Sequence, residues 1–432
     1  MSALPQTLFA SAFEADADSP ALAEAAAHID DVTLAALTQR FAATAADHDL
    51  AGRFPHDNFE DLQRLGLIGL VAPTAWGGGG ATLAEARRVI AAVAAGEPAT
   101  ALVLTMTYLQ HQALRHPASR WSAHLREAVA RSGVREGALA NALRVEPQLG
   151  SPARGGLPGT VARREGDEWV IDGHKLYTTG IERLSWLLVW GRTDEPQPRV
   201  GFFLVPGKAP GVRTIASWNH LGLRASGSHE AVLAGVRIPL DHAVDIRPPA
   251  QWAPAAATAA EADAFARQQA WMATLLGSLY DAVAGAARDW LLGFLQSRAP
   301  GSLGAPLATL PRVQEKVGEI QALLHANRVL LDDLAARTDA GQAPTPADSG
   351  LVKHTVGTHA IAAVELALQL SGNHGLSRQN PLERHHRDVL CARIHTPQSD
   401  AALVAAGQQA LAAAARAVPD RPTAGPAATI RA

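Results

Sequence analysis

Three short segments of the sequence carry residues that could bind a ligand or take part in a reaction. The first, Glu146 to Pro152, turns at proline and glycine, which leaves backbone N–H groups and the Ser151 hydroxyl facing a cleft. The second, Gly173 to Gly180, ends in Tyr-Thr-Thr-Gly and presents an aromatic ring and two hydroxyls beside a glycine. The third, Leu221 to Ser228, is a loop with two glycines and two serines. Hydroxyl and N–H donors stabilise negative charge on a bound group, although each segment alone is equally well explained as ordinary turn chemistry.

Helices are predicted on the N-terminal side of these segments. Apolar residues recur at spacings of three and four through much of residues 20–136, which is typical of amphipathic helices. Four glycines, Gly77–Gly80, predict a loop, because such a run loses too much backbone entropy to form a helix. Thr82 and Glu85 then predict a capping box at the next helix start. Residues 20–136 are therefore expected to form an N-terminal α-helical domain.

Short β-type runs follow in residues 137–248. They are Trp169–Ile171, Leu187–Trp190, Val200–Val205 and Ala231–Leu233. Gly166 and Asp167 precede the first run and predict a tight hairpin turn, and prolines stand at several strand ends. The pattern indicates a middle β domain that resembles a barrel.

Long helical periodicity returns in residues 249–418. The predicted helices are Leu275–Leu295, Val313–Arg337, Ser349–Leu370 and a fourth that begins at Asp388 or Ser399 and ends at Ala417. These helices predict a C-terminal four-helix bundle and an α+β multidomain fold for the whole chain. Helices on both sides of one β domain, without a G-x-G-x-x-G after a strand, exclude a doubly wound nucleotide-binding fold.

The composition excludes several other classes of protein. The chain has 432 residues, 47% of them hydrophobic and 18% charged, enough to build two or three domains around buried cores. A formal net charge of -3 gives no basic surface for nucleic acid. The single cysteine, Cys391, excludes a disulfide framework and indicates a reducing, cytoplasmic compartment. We expect no signal peptide, no membrane span and no metal site.

In this order the three segments resemble the signatures of the acyl-CoA dehydrogenase superfamily of flavoproteins. The middle domain of that family carries E-P-x-x-G-S, K-x-[WY]-[IT]-T-[NS]-G and G-x-R-[AG]-S. Two other segments, Gly66–Gly79 and Gln369–Asp388, are similar to the family's N-terminal and C-terminal sequences. The resemblance covers about residues 30–415 and implies an FAD between the β domain and the C-terminal helices.

The resemblance also implies which residues contact the cofactor and the substrate. The flavin ring would meet Leu143, Arg144, Val145, Tyr177, Thr178 and Thr179. Among these, the Thr179 hydroxyl would lie near flavin N5 and the Tyr177 ring would pack on the flavin face. Arg298 would reach the FAD pyrophosphate of a neighbouring subunit, and Gly372 and Gly375 would approach the same cofactor closely because they lack Cβ atoms. Ser151 would face a thioester carbonyl or the CoA phosphates.

The sequence departs from this family at the catalytic base. Acyl-CoA dehydrogenases remove an α-proton with a glutamate while a hydride passes to flavin N5. Thr396 stands at the matching position in this chain. The family's alternative base position falls near Met272, where no acid is found, and Glu261 and Asp263 are the nearest acids.

His395, beside that position, is the strongest candidate for chemistry. The run around it is similar to one in reduced-flavin monooxygenases of the same fold, in which a histidine lies near flavin C4a. A neutral imidazole there could act as a base or donate a hydrogen bond to an oxygen group on the flavin. A histidine that only satisfies a helix end is the structural alternative. His385 and His386 are expected on a helix surface or a subunit contact.

Two functions follow from the resemblance. The first is an FAD-dependent dehydrogenase that oxidises an acyl-thioester-like substrate with a non-standard or absent glutamate base and passes electrons to an electron-transfer flavoprotein. The alternative is a two-component monooxygenase that receives reduced FAD or FMN from a flavin reductase, forms a C4a-hydroperoxyflavin and oxygenates a small apolar substrate.

The first function ranks slightly higher because Glu146-Pro147 and Gly150-Ser151 match the dehydrogenase signature. An inactive scaffold ranks below both, because the flavin-facing residues are present. If Arg298 serves a neighbour's FAD, the protein is a homo-oligomer, at least a dimer and commonly a tetramer in the family.

Overall fold

The computed structural model describes residues 29–149, 156–252 and 256–417. Its α-helices are α1 Asp31–Ala51, α2 His56–Arg64, α3 Leu83–Gly96, α4 Pro98–Leu114, α5 Ala123–Glu136, α6 Ala259–Ser297, α7 Pro311–Asp339, α8 Pro346–Ser371, α9 Asn373–Leu376, α10 Leu382–Val389 and α11 Ser399–Ala417. Its strands are β1 Leu139–Leu143, β2 Val161–Glu165, β3 Glu168–Lys175, β4 Leu184–Thr193, β5 Val200–Pro206, β6 Val212–Ile215, β7 Glu230–Pro239 and β8 Asp245–Arg247. The predicted order of helices, sheet and helices is confirmed.

The N-terminal helices α1–α5 begin and end where local side-chain chemistry predicts. The capping box of α3 is confirmed, because Thr82 accepts a hydrogen bond from the Glu85 backbone while the Glu85 side chain bonds the Thr82 N–H. The predicted glycine loop before it is also confirmed. A Cβ on Gly78 would lie 2.2 Å from the carbonyl oxygen of Ala72, so the loop can fold back on its own chain only without a side chain there.

The middle domain is a mixed sheet. Within the described residues its strand order is β6-β7-β3-β2-β4-β5-β8, and β1 pairs in parallel with β4. The hairpin predicted at Gly166-Asp167 is confirmed, because Glu165 and Glu168 face each other in the antiparallel β2–β3 pair. The ends of β1 and β3 carry two of the three segments singled out from the sequence.

The C-terminal domain contains four long helices, α6, α7, α8 and α11. The predicted helices lie within the first three, but α6 begins at Ala259, sixteen residues before the predicted Leu275. Its first turns are exposed and show no apolar periodicity, so hydrophobic spacing did not indicate them. The last long helix begins at Ser399, after the separate short helix α10 and a 3₁₀ turn. None of the helices in the described ranges is both long and apolar enough for a membrane span.

The short helix α10 contacts both of the other domains. The Leu223 N–H of the third segment donates to an Asp388 carboxylate oxygen at 2.6 Å. The Arg387 guanidinium forms an ion pair with Asp49 at the end of α1, at 2.6 Å. Gly222 packs on the backbone of Arg387, and a Cβ there would lie 2.2 Å from that carbonyl oxygen. These contacts join the three domains at the end of α10.

We expect Gly222→Ala to lower the free energy of unfolding by about 1–3 kcal/mol, because the added methyl overlaps the backbone of α10. Urea denaturation followed by tryptophan fluorescence measures the change. The control is Gly407→Ala on exposed α11, where a Cβ meets nothing within 4 Å and a helical alanine is favoured. Equal stability of Gly222→Ala and wild type would contradict the packing described here.

Candidate active site

A buried ion pair joins the first and second segments. The Lys175 ammonium, at the end of β3, donates to a Glu146 carboxylate oxygen at 2.6 Å and to the carbonyl of Trp190. Glu146 also accepts hydrogen bonds from the Gly159 N–H and the Thr160 hydroxyl, each at 2.6 Å, and from the Thr160 N–H at 3.1 Å. Lys175 is fully buried and Glu146 is 3% exposed. Glu146 is therefore held inside the fold and is not available to a substrate.

The pKa values of both groups show that the pair is ionised. Burial alone raises the pKa of Glu146, but the Lys175 charge and the hydrogen bonds from Thr160 and Gly159 outweigh it, so the net shift is downward. Burial lowers the pKa of Lys175 to about 8, and Glu146 opposes that shift. Removing either partner would leave a buried charge unpaired.

This ion pair sets the ends of β1 and β3 side by side. The Leu176 N–H donates to the Val145 carbonyl at 3.0 Å, so the end of β1 (Leu143, Arg144, Val145) adjoins the start of the second segment. The Arg144 side chain lies over the Trp190 ring, with its guanidinium carbon 5.1 Å from the centroid.

The second and third segments form one surface through their hydroxyls. The Thr179 hydroxyl lies 3.0 Å from the Ser228 hydroxyl, which lies 2.7 Å from that of Ser226. The Gly180 N–H donates to the Ser226 carbonyl at 2.9 Å. Tyr177 has a positive φ of 55° and is 55% exposed. Its ring is therefore not part of the β-domain core.

Tyr177 and Thr178 offer binding groups that suit a flavin. The Tyr177 ring contacts Trp218 and His220 edge-on, at centroid distances of 6.4 and 5.9 Å. The Thr178 hydroxyl is buried and has no hydrogen-bond partner among the described residues. An open aromatic ring beside an unsatisfied buried hydroxyl suits a planar ligand with a polar edge. These residues fit a flavin. Ser151, the predicted substrate contact, lies outside the described residues.

His395 is held by two buried side chains from other helices. Its Nδ1 is hydrogen-bonded to the Tyr280 hydroxyl of α6, and its carbonyl accepts from the Lys353 ammonium of α8 at 2.5 Å. The same ammonium donates to the Ala392 carbonyl at 2.7 Å. Lys353 is 2% exposed, and among the described residues its ammonium bonds only these two backbone carbonyls. The structural alternative for His395, a histidine that only satisfies a helix end, does not account for these contacts.

Burial and the Lys353 charge lower the pKa of His395 to about 4. Its imidazole is therefore neutral at neutral pH. Burial also raises the pKa of Tyr280 well above its usual value, so its hydroxyl keeps its proton.

Thr396, at the family's glutamate position, is exposed. Glu261 is engaged by Arg120 at 2.8 Å and by Arg247 at 2.9 Å and lies on another surface.

The residues predicted to serve a neighbouring subunit lie together at the ends of α6 and α8. Phe294, one turn before Arg298, has its ring centroid 5.1 Å from that of His374 in the turn after Gly372. Arg298 is exposed, and its guanidinium makes no hydrogen bond or ion pair with the part of the chain that the structure describes.

The two glycines of this turn are needed for different reasons. Gly372 has a positive φ of 55° and open space where a Cβ would be. At Gly375 a Cβ would lie 2.2 Å from the Ser371 hydroxyl, so packing within the chain already explains that glycine.

The prediction of a surface position for His385 is wrong, because it is 4% exposed in α10. The sequence also did not indicate Tyr280 or Lys353. Neither belongs to a motif, and the sequence distance of 115 residues between Tyr280 and His395 leaves no local signal. Among the described residues no group of three His, Cys, Asp or Glu side chains could hold a metal ion.

Family models match the chain in three parts. They are the acyl-CoA dehydrogenase N-terminal domain over residues 24–119, its middle domain over 143–236 and its C-terminal domain over 282–400.

Individual relatives match over most of their length. A putative acyl-CoA dehydrogenase, YdbM of Bacillus subtilis, is 30% identical over 370 residues, 85% of this chain and 92% of the relative. L-evernosamine nitrososynthase of Micromonospora is 29% identical, over 85% of this chain and 86% of that protein. The structure of KijD3 with FMN and an amino-deoxysugar nucleotide has a TM-score of 0.76 and 26% identity, covering 93% of this chain and 96% of that one.

Thr178→Val tests whether the Thr178 hydroxyl binds the flavin or only stabilises the fold. Valine replaces an unsatisfied buried hydroxyl without changing shape much, so the flavin-free protein should be as stable as wild type or up to about 1 kcal/mol more stable. Flavin affinity should fall by about five- to tenfold with the loss of one hydrogen bond. Fluorescence titration with flavin measures it.

Thr179→Val is the comparison variant: it breaks the bond to Ser228 and should destabilise the flavin-free protein as well as weaken flavin binding, whereas Thr178→Val should only weaken binding. Unchanged flavin affinity in Thr178→Val would exclude that hydroxyl from the cofactor site.

The low pKa of His395 predicts a pH-dependent stability. The unfolded chain gains a proton at His395 as the pH falls below about 6.5, whereas the folded chain does so only near 4. Stability from this group is thus complete above pH 6.5 and is lost between pH 6.5 and 4. His395→Gln should reduce the slope of unfolding free energy against pH by up to about 1.4 kcal/mol per unit in that window. Urea titrations at pH 7, 6 and 5 test this, with Thr396→Ser as the non-titrating control.

Proposed function

The chain belongs to the acyl-CoA dehydrogenase family of flavin-dependent oxidoreductases, and we propose that within it this protein is a monooxygenase. It binds a flavin that a separate reductase has reduced and uses molecular oxygen to oxygenate a small apolar molecule. The observation that carries the proposal is the state of His395: a neutral imidazole, fixed by Tyr280, next to a position without a carboxylate.

A dehydrogenase of this family needs a base strong enough to remove an α-proton. Because the protonated Tyr280 hydroxyl donates to Nδ1 of His395, the imidazole proton lies on Nε2 and neither ring nitrogen is free to accept an α-proton, and the exposed Thr396 carries a hydroxyl where the family has a carboxylate. A neutral imidazole is well suited to donate one hydrogen bond to an oxygen atom. The chemistry available at His395 therefore favours oxygenation.

The Glu-Pro motif no longer argues for a thioester substrate. Glu146 is occupied by Lys175, Thr160 and Gly159, and it acts as an anchor for the ligand-facing strands. That role is needed whichever reaction the fold performs. The Glu146-Pro147 motif, which favoured the dehydrogenase in the sequence, is thus explained by the stability of the fold.

The flavin, when bound, supplies the electrons that activate oxygen. Tyr177 would cover its face, and the hydroxyls of Thr178 and Thr179 would bind its polar edge. Because Tyr280 stays protonated and has no other partner among the described residues, its hydroxyl donates to Nδ1 of His395. The imidazole proton then resides on Nε2, which is the donor that would hold a reacting oxygen in place.

The relatives support this assignment in part. One of them is named as a nitrososynthase, and a solved structure similar to this chain contains FMN. Both FAD and FMN therefore remain compatible with the proposal, and the partner it implies is a flavin reductase. The single, partly buried Cys391 suits a reducing compartment such as the cytoplasm.

A second candidate is oxidation of an acyl thioester with electron transfer to an electron-transfer flavoprotein. All three domains match acyl-CoA dehydrogenase models, and YdbM is named as a putative acyl-CoA dehydrogenase. In that case His395 would be the non-standard base.

We also propose that the active form is a homo-oligomer, a dimer or tetramer. Arg298 is exposed without a described partner and lies beside the Gly372 turn. A guanidinium in this position is suited to the pyrophosphate of a neighbour's cofactor.

The proposed function is tested by the reaction of the reduced, flavin-loaded protein with oxygen in a stopped-flow spectrometer. A monooxygenase should show a lag before the oxidised flavin spectrum returns, with hydrogen peroxide released only after the lag. His395→Gln should shorten the lag about tenfold or more, because one hydrogen bond to the oxygen is lost.

Anaerobic mixing of the oxidised protein with a series of acyl-CoA thioesters tests the second candidate. Bleaching of the flavin by a thioester, together with immediate reoxidation in air, would contradict the monooxygenase. Thr396→Glu supplies the missing carboxylate and should create thioester oxidation only if the pocket accepts a thioester.

A further inference from the structure

A cavity of about 520 Å³ lies between α1, α3, α6 and α10 and shares no lining residue with the flavin-facing segments. Half of its ten lining residues are small, namely Ala42, Ala95, Ala282, Gly285 and Ala286. Two adjacent side chains of α10, Arg384 and His385, supply its buried polar groups. Its volume is in the range of small-molecule sites.

Arg384 is a buried cation without a bonded counterion. The residue is 7% exposed, its Nε is buried without a partner, and its guanidinium forms no hydrogen bond or ion pair with a described residue. The two carboxyls whose charges reach it are already engaged: Glu97 is 3.1 Å from His48, and Asp388 accepts the Leu223 N–H. An unpaired buried charge is costly unless something binds it.

Arg387 on the same helix, by contrast, forms ion pairs with two carboxylates. It is bonded to Asp49 at 2.6 Å and to Glu383 at 2.8 Å. Arg384, which faces the cavity, has no such carboxylate partner within residues 29–149, 156–252 and 256–417.

His385 adds a second unsatisfied group to the same wall. It is 4% exposed, and its Nδ1 has no partner among the described residues. The other polar side chains at the cavity offer no free donor, because Thr38 donates to the Ala92 carbonyl at 2.8 Å and Asp289 is an acceptor whose charge is paired with Arg288 at 2.7 Å. The free hydrogen-bond donors of this cavity are thus those of Arg384 and His385.

We propose that this cavity binds a small organic anion through a carboxylate or phosphate group held by Arg384 and His385. The planar guanidinium binds such oxyanions through two parallel hydrogen bonds, and a neutral imidazole offers one further donor. The small wall residues leave room for the rest of the molecule. The site is independent of the reaction proposed above.

Thermal unfolding of the flavin-loaded protein tests the proposal, because bound flavin already occupies the phosphate contacts of the cofactor site. Inorganic phosphate and citrate are compared with chloride at equal ionic strength. At saturating concentration, phosphate, citrate or both should raise the unfolding midpoint by about 3 °C or more over chloride. A response to phosphate alone would assign the group as a phosphate, and a response to citrate alone as a carboxylate.

Three variants make the test specific. Arg384→Gln should weaken the anion response at least about tenfold. Gly285→Leu should abolish it by filling the cavity, and it should not lower the midpoint without ligand, since a Cβ at this helical glycine meets nothing within 4 Å. Arg378→Gln, which removes the same charge from an exposed loop position, should respond as wild type.

No anion effect beyond that of chloride, or an equal effect in Arg384→Gln, would overturn the site. So would a change of molecular mass in Arg384→Gln without any anion dependence, because it would assign the guanidinium to a contact between copies. The readout does not use catalysis, so it stands apart from the test of the monooxygenase.

Discussion

The buried ion pair between Glu146 and Lys175 fixes the geometry on which the surface around Tyr177 and Thr179 depends. Two charges removed from water are stable only together and with their remaining hydrogen bonds satisfied, as the Thr160 and Gly159 donors achieve here. The pair fixes the ends of β1 and β3 relative to each other, and the Val145–Leu176 hydrogen bond follows. Tyr177 can then leave the sheet with a positive φ and an exposed ring.

A second constraint operates where the domains meet. Helix α10 is only eight residues long, yet Arg387 bonds α1 and Asp388 bonds the loop of the third segment. Burial raises the pKa of Asp388 to about 7, and the Leu223 N–H opposes that shift. The run from α10 to His395 is thereby tied to the β domain at one end and to Lys353 at the other. The position of His395 thus depends on contacts from three helices and one loop.

Two buried cations, Lys353 and Arg384, form no ion pair with a carboxylate of the described residues. Lys353 uses backbone carbonyls, and burial lowers its pKa to about 8. The Arg384 guanidinium bonds no carbonyl or other group in the part of the chain that the structure describes. Buried charges of this kind reduce stability, so their presence is better explained by what they position or bind. Lys353 positions the segment that carries His395, and its ammonium favours the neutral imidazole. Arg384 faces the cavity between α1, α3, α6 and α10, where we propose that it binds an anion.

The sequence by itself determined the types and order of the elements, because helix caps, tight turns and hydrophobic periodicity act over a few residues. Local sequence patterns predicted the capping box at Thr82, the hairpin at Gly166-Asp167 and the helical and β regions. The motifs indicated the family. The tertiary structure alone decided which distant groups meet. Glu146 bonds a lysine 29 residues away, Tyr280 bonds a histidine 115 residues away, and His385, expected on a surface, is buried. Such pairings depend on how whole helices pack against each other. The residues next to a buried charge or imidazole in the sequence do not predict which distant group will bond to it.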